Sequence, residues 1–234
     1  MQTSTPTTPL PGLSGLGQVK LDPRYQELYE AAKSTCAGPA PWAARKLREV
    51  CDLMALAQVS QRIDLQWLDL RDDFRVVFHL RVPVATRPDP HGDIVIRNYA
   101  TIGLTYRAEA ARLPQPGYSF VHLLAPASAW YANIPRGLGP LPDFGNPICL
   151  GTTLPAGSRV RELVVLTYLS LSMQTTQINP ADSAGLFRPE VARFWQHNLN
   201  RIPLSRTPFI VPGMRSETTN KTKPTTSYED SPPR

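Results

Sequence analysis

Residues 74–82 read FRVVFHLRV. Phe74, Val76, Phe78, Leu80 and Val82 fall on one side of a two-residue period. Arg75, Val77, His79 and Arg81 fall on the other. This is the pattern of an antiparallel strand with one face packed and one half exposed, and it makes His79 a surface histidine. Outward from it, IDLQWLDL (63–70) alternates less regularly. ATIGLTY (100–106) and SFVHLLA (119–125) are two further strand candidates, with His122 a packing or edge residue of the second. RPDPHGD (87–93), which holds His91, is dense in turn formers.

Helices flank this block. Asp22-Pro23 is a helix start, a capping carboxylate followed by proline at the first helical position. The break at Gly38-Pro39-Ala40-Pro41 predicts a second helix from near Trp42, with Leu47, Val50, Cys51, Met54 and Val59 at helical spacing and Cys51 in the core. Residues 125–157 are rich in proline and glycine but carry Trp130, Tyr131 and Phe144, which argues for an ordered, functional loop. Ser158 then caps a predicted helix to about Gln174, with Val160, Leu163, Val164, Thr167, Tyr168 and Leu171 inward. The turn TTQINPADSAGLF (175–187) leads to a last helix over about 189–198, built on Val191, Phe194 and Trp195, with His197 favourably placed near its C-terminal dipole. The order predicts an α+β fold: N-terminal helix, four-stranded antiparallel meander, ordered active-site loop and C-terminal helices.

Composition bounds the rest. The chain has 234 residues, 41% of them apolar, and 25 prolines. Residues 1–20 and 213–234 are polar and proline-spaced, which predicts disorder at both ends and one globular unit over 21–212. Twenty-five Lys and Arg against 19 Asp and Glu give a net charge of +6. The basic residues are scattered, as on a solvated surface or a docking face for an acidic protein. No aromatic-interleaved basic stripe points to nucleic acid. The longest apolar run falls far short of the ~20 residues of a membrane span. No secretory leader is visible, so the expected compartment is the cytoplasm. Cys36, Cys51 and Cys149 form neither a CxxC pair nor a zinc-like Cys/His spacing, and no glycine-rich phosphate loop occurs. Neither metal nor cofactor is expected.

Cys149 is the residue that raises a chemical question. It lies in NPICLGTT (146–153), in the ordered loop and not on a helix stripe. It reads either as a nucleophile or as a small buried hydrophobe beside Ile148 and Leu150.

Three stretches resemble the ubiquitin-conjugating enzymes of the UBC fold, over roughly residues 42–200. ICLG (148–151) matches the family's segment around the thioester cysteine. LLAPASAWYANI (123–134) resembles its strand, Thr-Pro and Phe-His-Pro-Asn-Ile. The run from LPAGSRVRELVVLTYLSLSMQ to NPADSAGLFRPEVARFW resembles its crossover, long helix, Asn-Pro-Asp-Asp-Pro-Leu turn and next helix. Departures are visible. Tyr131-Ala132-Asn133 stands for His-Pro-Asn, the crossover aromatic is absent, and Asn133 precedes Cys149 by a longer gap than in the family. PRGLGPLPDFG (135–145) must loop out, and Asn146 is a rival for the asparagine role. The chain looks most like divergent conjugating enzymes of bacterial ubiquitin-like operons, some of which act in antiviral defence.

The resemblance implies a carrier that holds a ubiquitin-like modifier as a thioester on Cys149 and transfers it to a lysine or other amine of a target protein. It implies Asn133 as the oxyanion-stabilising amide and Asp182 as the carboxylate that orients the amine. It also implies an activating enzyme as partner, docked on the helix that bears Arg45, Lys46 and Arg48. A thiol with a pKa near ~8.5 attacks and leaves more readily than a hydroxyl, and an activated donor needs no Cys-His dyad. The alternative is a UBC-like or RWD-like binding module without this chemistry. A cysteine hydrolase would need His122 or His197 as its base.

Overall fold

The computed structural model describes residues 22–89, 91–135, 145–176, 178–181 and 184–210. The expectations of disorder for the two ends, and most of the looped-out stretch 135–145, lie outside these residues.

Helix α1 spans Pro23–Thr35, and the Asp22 carboxylate accepts from the Arg24 N–H at its start. Gly38, at φ +106°, turns the chain into α2, Ala40–Val59, which begins two residues earlier than expected. Strands β1 (Ile63–Asp69), β2 (Phe74–Leu80), β3 (Val84–Thr86), β4 (Val95–Arg97), β5 (Ala100–Tyr106), β6 (Gln115–Pro116), β7 (Val121–Ala125), β8 (Asn146–Pro147) and β9 (Thr153–Leu154) follow, then α3 (Val160–Leu171) and α4 (Pro189–His197). The main sheet is ordered β1-β2-β5-β7-β8, and all its pairings are antiparallel.

The α+β class therefore holds, with two corrections to the strand count. The sheet has five strands and not four, because Asn146–Pro147 pairs with Leu123 and His122 at its edge. Two small pairings lie outside the sheet, the β3–β4 hairpin and the two-residue β6–β9 pair. Strand β2 behaves as its alternation demands: Phe74, Val76, Phe78 and Leu80 are buried, and His79 turns outward to Thr101 Oγ1 at 3.1 Å. Val59 leaves the expected α2 stripe and is exposed. Among the described residues, no helix is long and apolar enough to cross a membrane.

Charged side chains join α2 to its neighbours. Lys46 is fully buried; its Nζ donates to the carbonyls of Ala37 (2.7 Å), Leu70 and Asp72 (3.0 Å), satisfying loop ends that no strand can reach. It is not available to dock a partner, and of the expected trio only Arg48 is exposed. Glu49 is equally buried. Its carboxylate lies 2.6 Å from Arg45 Nε and 3.3 Å from Arg159 Nε, and accepts from the Val160 N–H at 2.9 Å. Ser158 is not the cap of α3, since its hydroxyl bonds back to Pro155 O. The cap is Glu49, from another helix. Its negative charge meets the positive end of the α3 dipole, and Glu162 takes the Arg159 N–H beside it.

The described residues end in a strap along α3. Ser205 N–H donates to Ser172 O, Tyr168 Oη donates to Thr207 O at 2.6 Å, and Ser60 Oγ donates to Phe209 O at 2.7 Å. Phe209 packs edge-on against Tyr168.

Glu49→Ala removes the cap and leaves Arg45 and Arg159 without their shared carboxylate. Both guanidiniums are partly solvated, so a loss of about 2–4 kcal/mol of unfolding free energy is expected in urea titrations. A loss under about 0.5 kcal/mol would contradict the role assigned to the carboxylate.

Candidate functional site around Cys149

After β7 the chain turns through a cis Ala125-Pro126 bond into a segment whose polar groups are bonded in several directions. Trp130 N–H donates to Ala85 O, and Trp195 Nε1 donates to Trp130 O. Tyr131, where the resembled family has histidine, is fully buried. Its hydroxyl accepts from the Ala85 N–H at 3.0 Å and donates to Leu171 O at 2.7 Å, linking hairpin to α3. Burial pushes its phenol well above the ordinary tyrosine range. It is a structural pin and not a titrating group. Ala132 O accepts from both Phe187 N–H (2.9 Å) and Arg188 N–H (3.0 Å), which anchors the chain entering α4.

Asn133 comes next. Its carbonyl accepts from the Cys149 N–H at 3.0 Å, and its Nδ2 donates to Cys149 O at 2.9 Å and to Ser170 Oγ at 2.7 Å. The two residues are thus clasped in both directions although sixteen positions separate them. Both amide hydrogens of Asn133 are engaged. As placed, the side chain braces the Cys149 peptide and has no N–H left for a developing oxyanion.

Three further bonds hold the cysteine segment: Ile148 N–H to Val121 O (2.8 Å), Leu150 N–H to Gly117 O (3.2 Å), and Gly117 N–H to Thr152 O (3.4 Å). Gly117 is required by contact distance. A Cβ there would stand 2.0 Å from Gly151 O, so any side chain would push the two loops apart. Ile148 points into the core and Cys149 sits just under the surface, 7% exposed. The accessible thiol expected of a carrier is therefore not what this arrangement offers. The reason is local: Gly185, at φ +74°, crosses so close that a Cβ on it would lie 3.2 Å from Cys149 Sγ. The thiol donates to Gly151 O at 3.1 Å.

Asp182 lies outside the described residues. Asn146 is half-buried in β8, paired with Leu123. His197 is exposed at the end of α4, with Nδ1 2.7 Å from Arg193 O. His122 lies across the sheet from Pro147. Cys36 packs partly buried against the core, and Cys51 is buried. Among the described residues, no group of three or more His, Cys, Asp and Glu is placed to hold a metal ion. Ser170, Gly117 and Gly185 were not expected from sequence. Ser170 left a faint signal, as a small hydroxyl between two leucines in the run LVVLTYLSL.

No family model matches the chain, and neither does any curated protein or solved structure.

Two outcomes follow from this geometry. Tyr131→Phe strands the buried Ala85 N–H and Leu171 C=O, so a loss of about 1–3 kcal/mol in denaturant midpoints is expected, with the fold retained. Burial, and secondarily the charge of Arg107, hold His122 below the ordinary histidine range. Its folded form therefore binds fewer protons than the unfolded chain as pH falls below about 6.5, and stability drops there. His122→Gln flattens that part of the stability–pH curve. An unchanged slope between wild type and variant would refute the assignment.

Proposed function

We propose that the chain carries a ubiquitin-like modifier as a thioester on Cys149 and passes it to an amine of a target protein, as its resemblance to conjugating enzymes implies. The observation that carries this reading is the reciprocal clasp of Asn133 and Cys149 across sixteen residues. It supports the pairing of the asparagine with the cysteine in spite of the long gap between them. The contact of Gly185 with the sulfur adds to it, because the Asn179-Pro180 turn of the resemblance belongs to the same segment.

Charging would be thiol exchange. The Cys149 sulfur, having lost its proton to solvent, attacks the thioester carbonyl of the modifier on its activating enzyme. A new S–C bond forms, the old one breaks, and the departing thiolate takes up a proton. Because one thioester replaces another, no dedicated base is needed. Transfer repeats the pattern with a target lysine: nitrogen attacks, sheds a proton, and Cys149 thiolate leaves. Asn133 acts first as a positioning residue for the Cys149 peptide, and it could donate to the oxyanion only by releasing Ser170. Asp182, three positions from Gly185, is the proposed carboxylate for orienting the amine. A cytoplasmic setting and a bacterial ubiquitin-like operon belong to the same proposal.

The low exposure of Cys149 favours a second reading, a UBC-like or RWD-like module that binds partners without thioester chemistry.

Incubation of the full chain with an activating enzyme, modifier and ATP decides between them. The carrier gives an adduct that reductant removes, Cys149→Ser gives a reductant-resistant ester, and Cys149→Ala gives neither. Wild type that binds the modifier or activating enzyme yet forms no reductant-sensitive adduct supports the binding module.

A further inference from the structure

Two half-exposed aromatic rings meet between the two chain segments that pack against the Cys149 loop, and neither belongs to the core. Tyr118 is 48% exposed and Phe187 39% exposed, and their rings stand edge to face at a centroid separation of 6.1 Å. Each is tied to a different wall of the thiol. Tyr118 follows Gly117, whose carbonyl holds Leu150 and whose N–H holds Thr152, on the two sides of the Gly151 that accepts the thiol hydrogen. Phe187 lies two residues beyond Gly185, on which a Cβ would stand 3.2 Å from Sγ, and its own N–H is anchored on Ala132 O.

We propose that the Tyr118–Phe187 contact is a latch that keeps the Gly185 segment closed over Cys149, so that any electrophile reaches the sulfur only when the rings part. The latch rests on the covering of the sulfur and goes beyond the carrier reading. A binding module would have it too, and a carrier without it would still form an adduct.

The device is matched to a reversible gate. Both partners are partly hydrated in the closed form, so an edge-to-face pair shifts the closed-to-open ratio by only about two- to tenfold. Gly185 lets the covering backbone sit at positive φ without strain and leaves no side chain in the way of closure. The loop at Gly151, whose carbonyl takes the thiol hydrogen, has open space where a Cβ would meet nothing within 4 Å.

The test is the rate of alkylation by iodoacetamide in the full chain at neutral pH, read cysteine by cysteine from peptide masses. Sulfur forms a bond to carbon, iodide leaves, and the thiol proton goes to solvent. Cys51 is the internal standard for intact folding, since burial pushes its thiol up to about 11 and keeps it unreactive. Tyr118→Ala and Phe187→Ala should each speed the labelling of Cys149 by about two- to tenfold, with Cys51 still protected. The double variant should be no faster than the faster single one, because each removes the same contact. Unchanged single-variant rates, or a double variant whose acceleration is the product of the two, overturn the latch. If either alanine variant also opens Cys51, Tyr118→Leu and Tyr118→Phe decide: the latch requires leucine to accelerate Cys149 labelling and phenylalanine to leave it unchanged. The thioester assay is a separate readout, so failure of one proposal does not entail failure of the other.

Discussion

A carboxylate sealed between α2 and α3 fixes where α3 begins. Glu49 is drawn out of water by α2 packing and would be costly there alone. Arg45, Arg159 and the first free N–H of α3 together compensate it. Asp52 adds a second contact to Arg159. These bonds fix where α3 begins and how it is rotated about its axis. The rotation matters because Ser170, near the other end of α3, must face inward to receive the amide of Asn133. Through Asn133 the same constraint reaches the Cys149 peptide. The charge cluster at the start of α3 is thus linked, through that helix, to the loop that Asn133 braces near its end.

The segment 130–133 is the second organising feature. It has no regular secondary structure, yet its backbone groups bond to β3, to the chain before α4 and to the cysteine loop. Tyr131 does there what a strand would do elsewhere, satisfying buried backbone groups of two separate elements with one hydroxyl. A phenol can span that distance through the core, and an imidazole is too short to do so. Tyrosine at this position is therefore compatible with a tightly held loop.

The parts of this structure that were legible in sequence are those with a period or a local stereochemical rule. Strand β2 follows from alternation, and α1 begins where Asp22 and Pro23 require. The presence of α3 and the limits of α4 follow from apolar spacing and Pro189, whereas α3 starts at Val160 and ends at Leu171, short of the expected Gln174. The parts that were hidden are long-range and polar. Lys46 and Glu49 look like solvated charges on a helix, and only the tertiary fold shows carbonyls and guanidiniums converging on them. The two-residue strand Asn146–Pro147 is too short to carry a period. Cys149 and Asn133 could be singled out by chemistry and resemblance, but their mutual clasp, and the glycine lying over the sulfur, depend on three separate loops meeting. Tyr118 and Phe187 gave no signal, since isolated surface aromatics are common.

The burial of Lys46 bears on self-modification. The basic residues of this chain are mostly arginines, and the described stretch contains two lysines, Lys33 and Lys46. Lys46 faces carbonyls on every side, out of reach of any acyl donor. Lys33, on α1, is left as the solvent-facing primary amine of that stretch. A guanidinium stays protonated and does not attack acyl groups under ordinary conditions. A carrier that holds a reactive ester must avoid being its own acceptor. Among the described residues, every exposed Lys or Arg side chain other than Lys33 is a guanidinium, which would not accept an acyl group if the chain carried one.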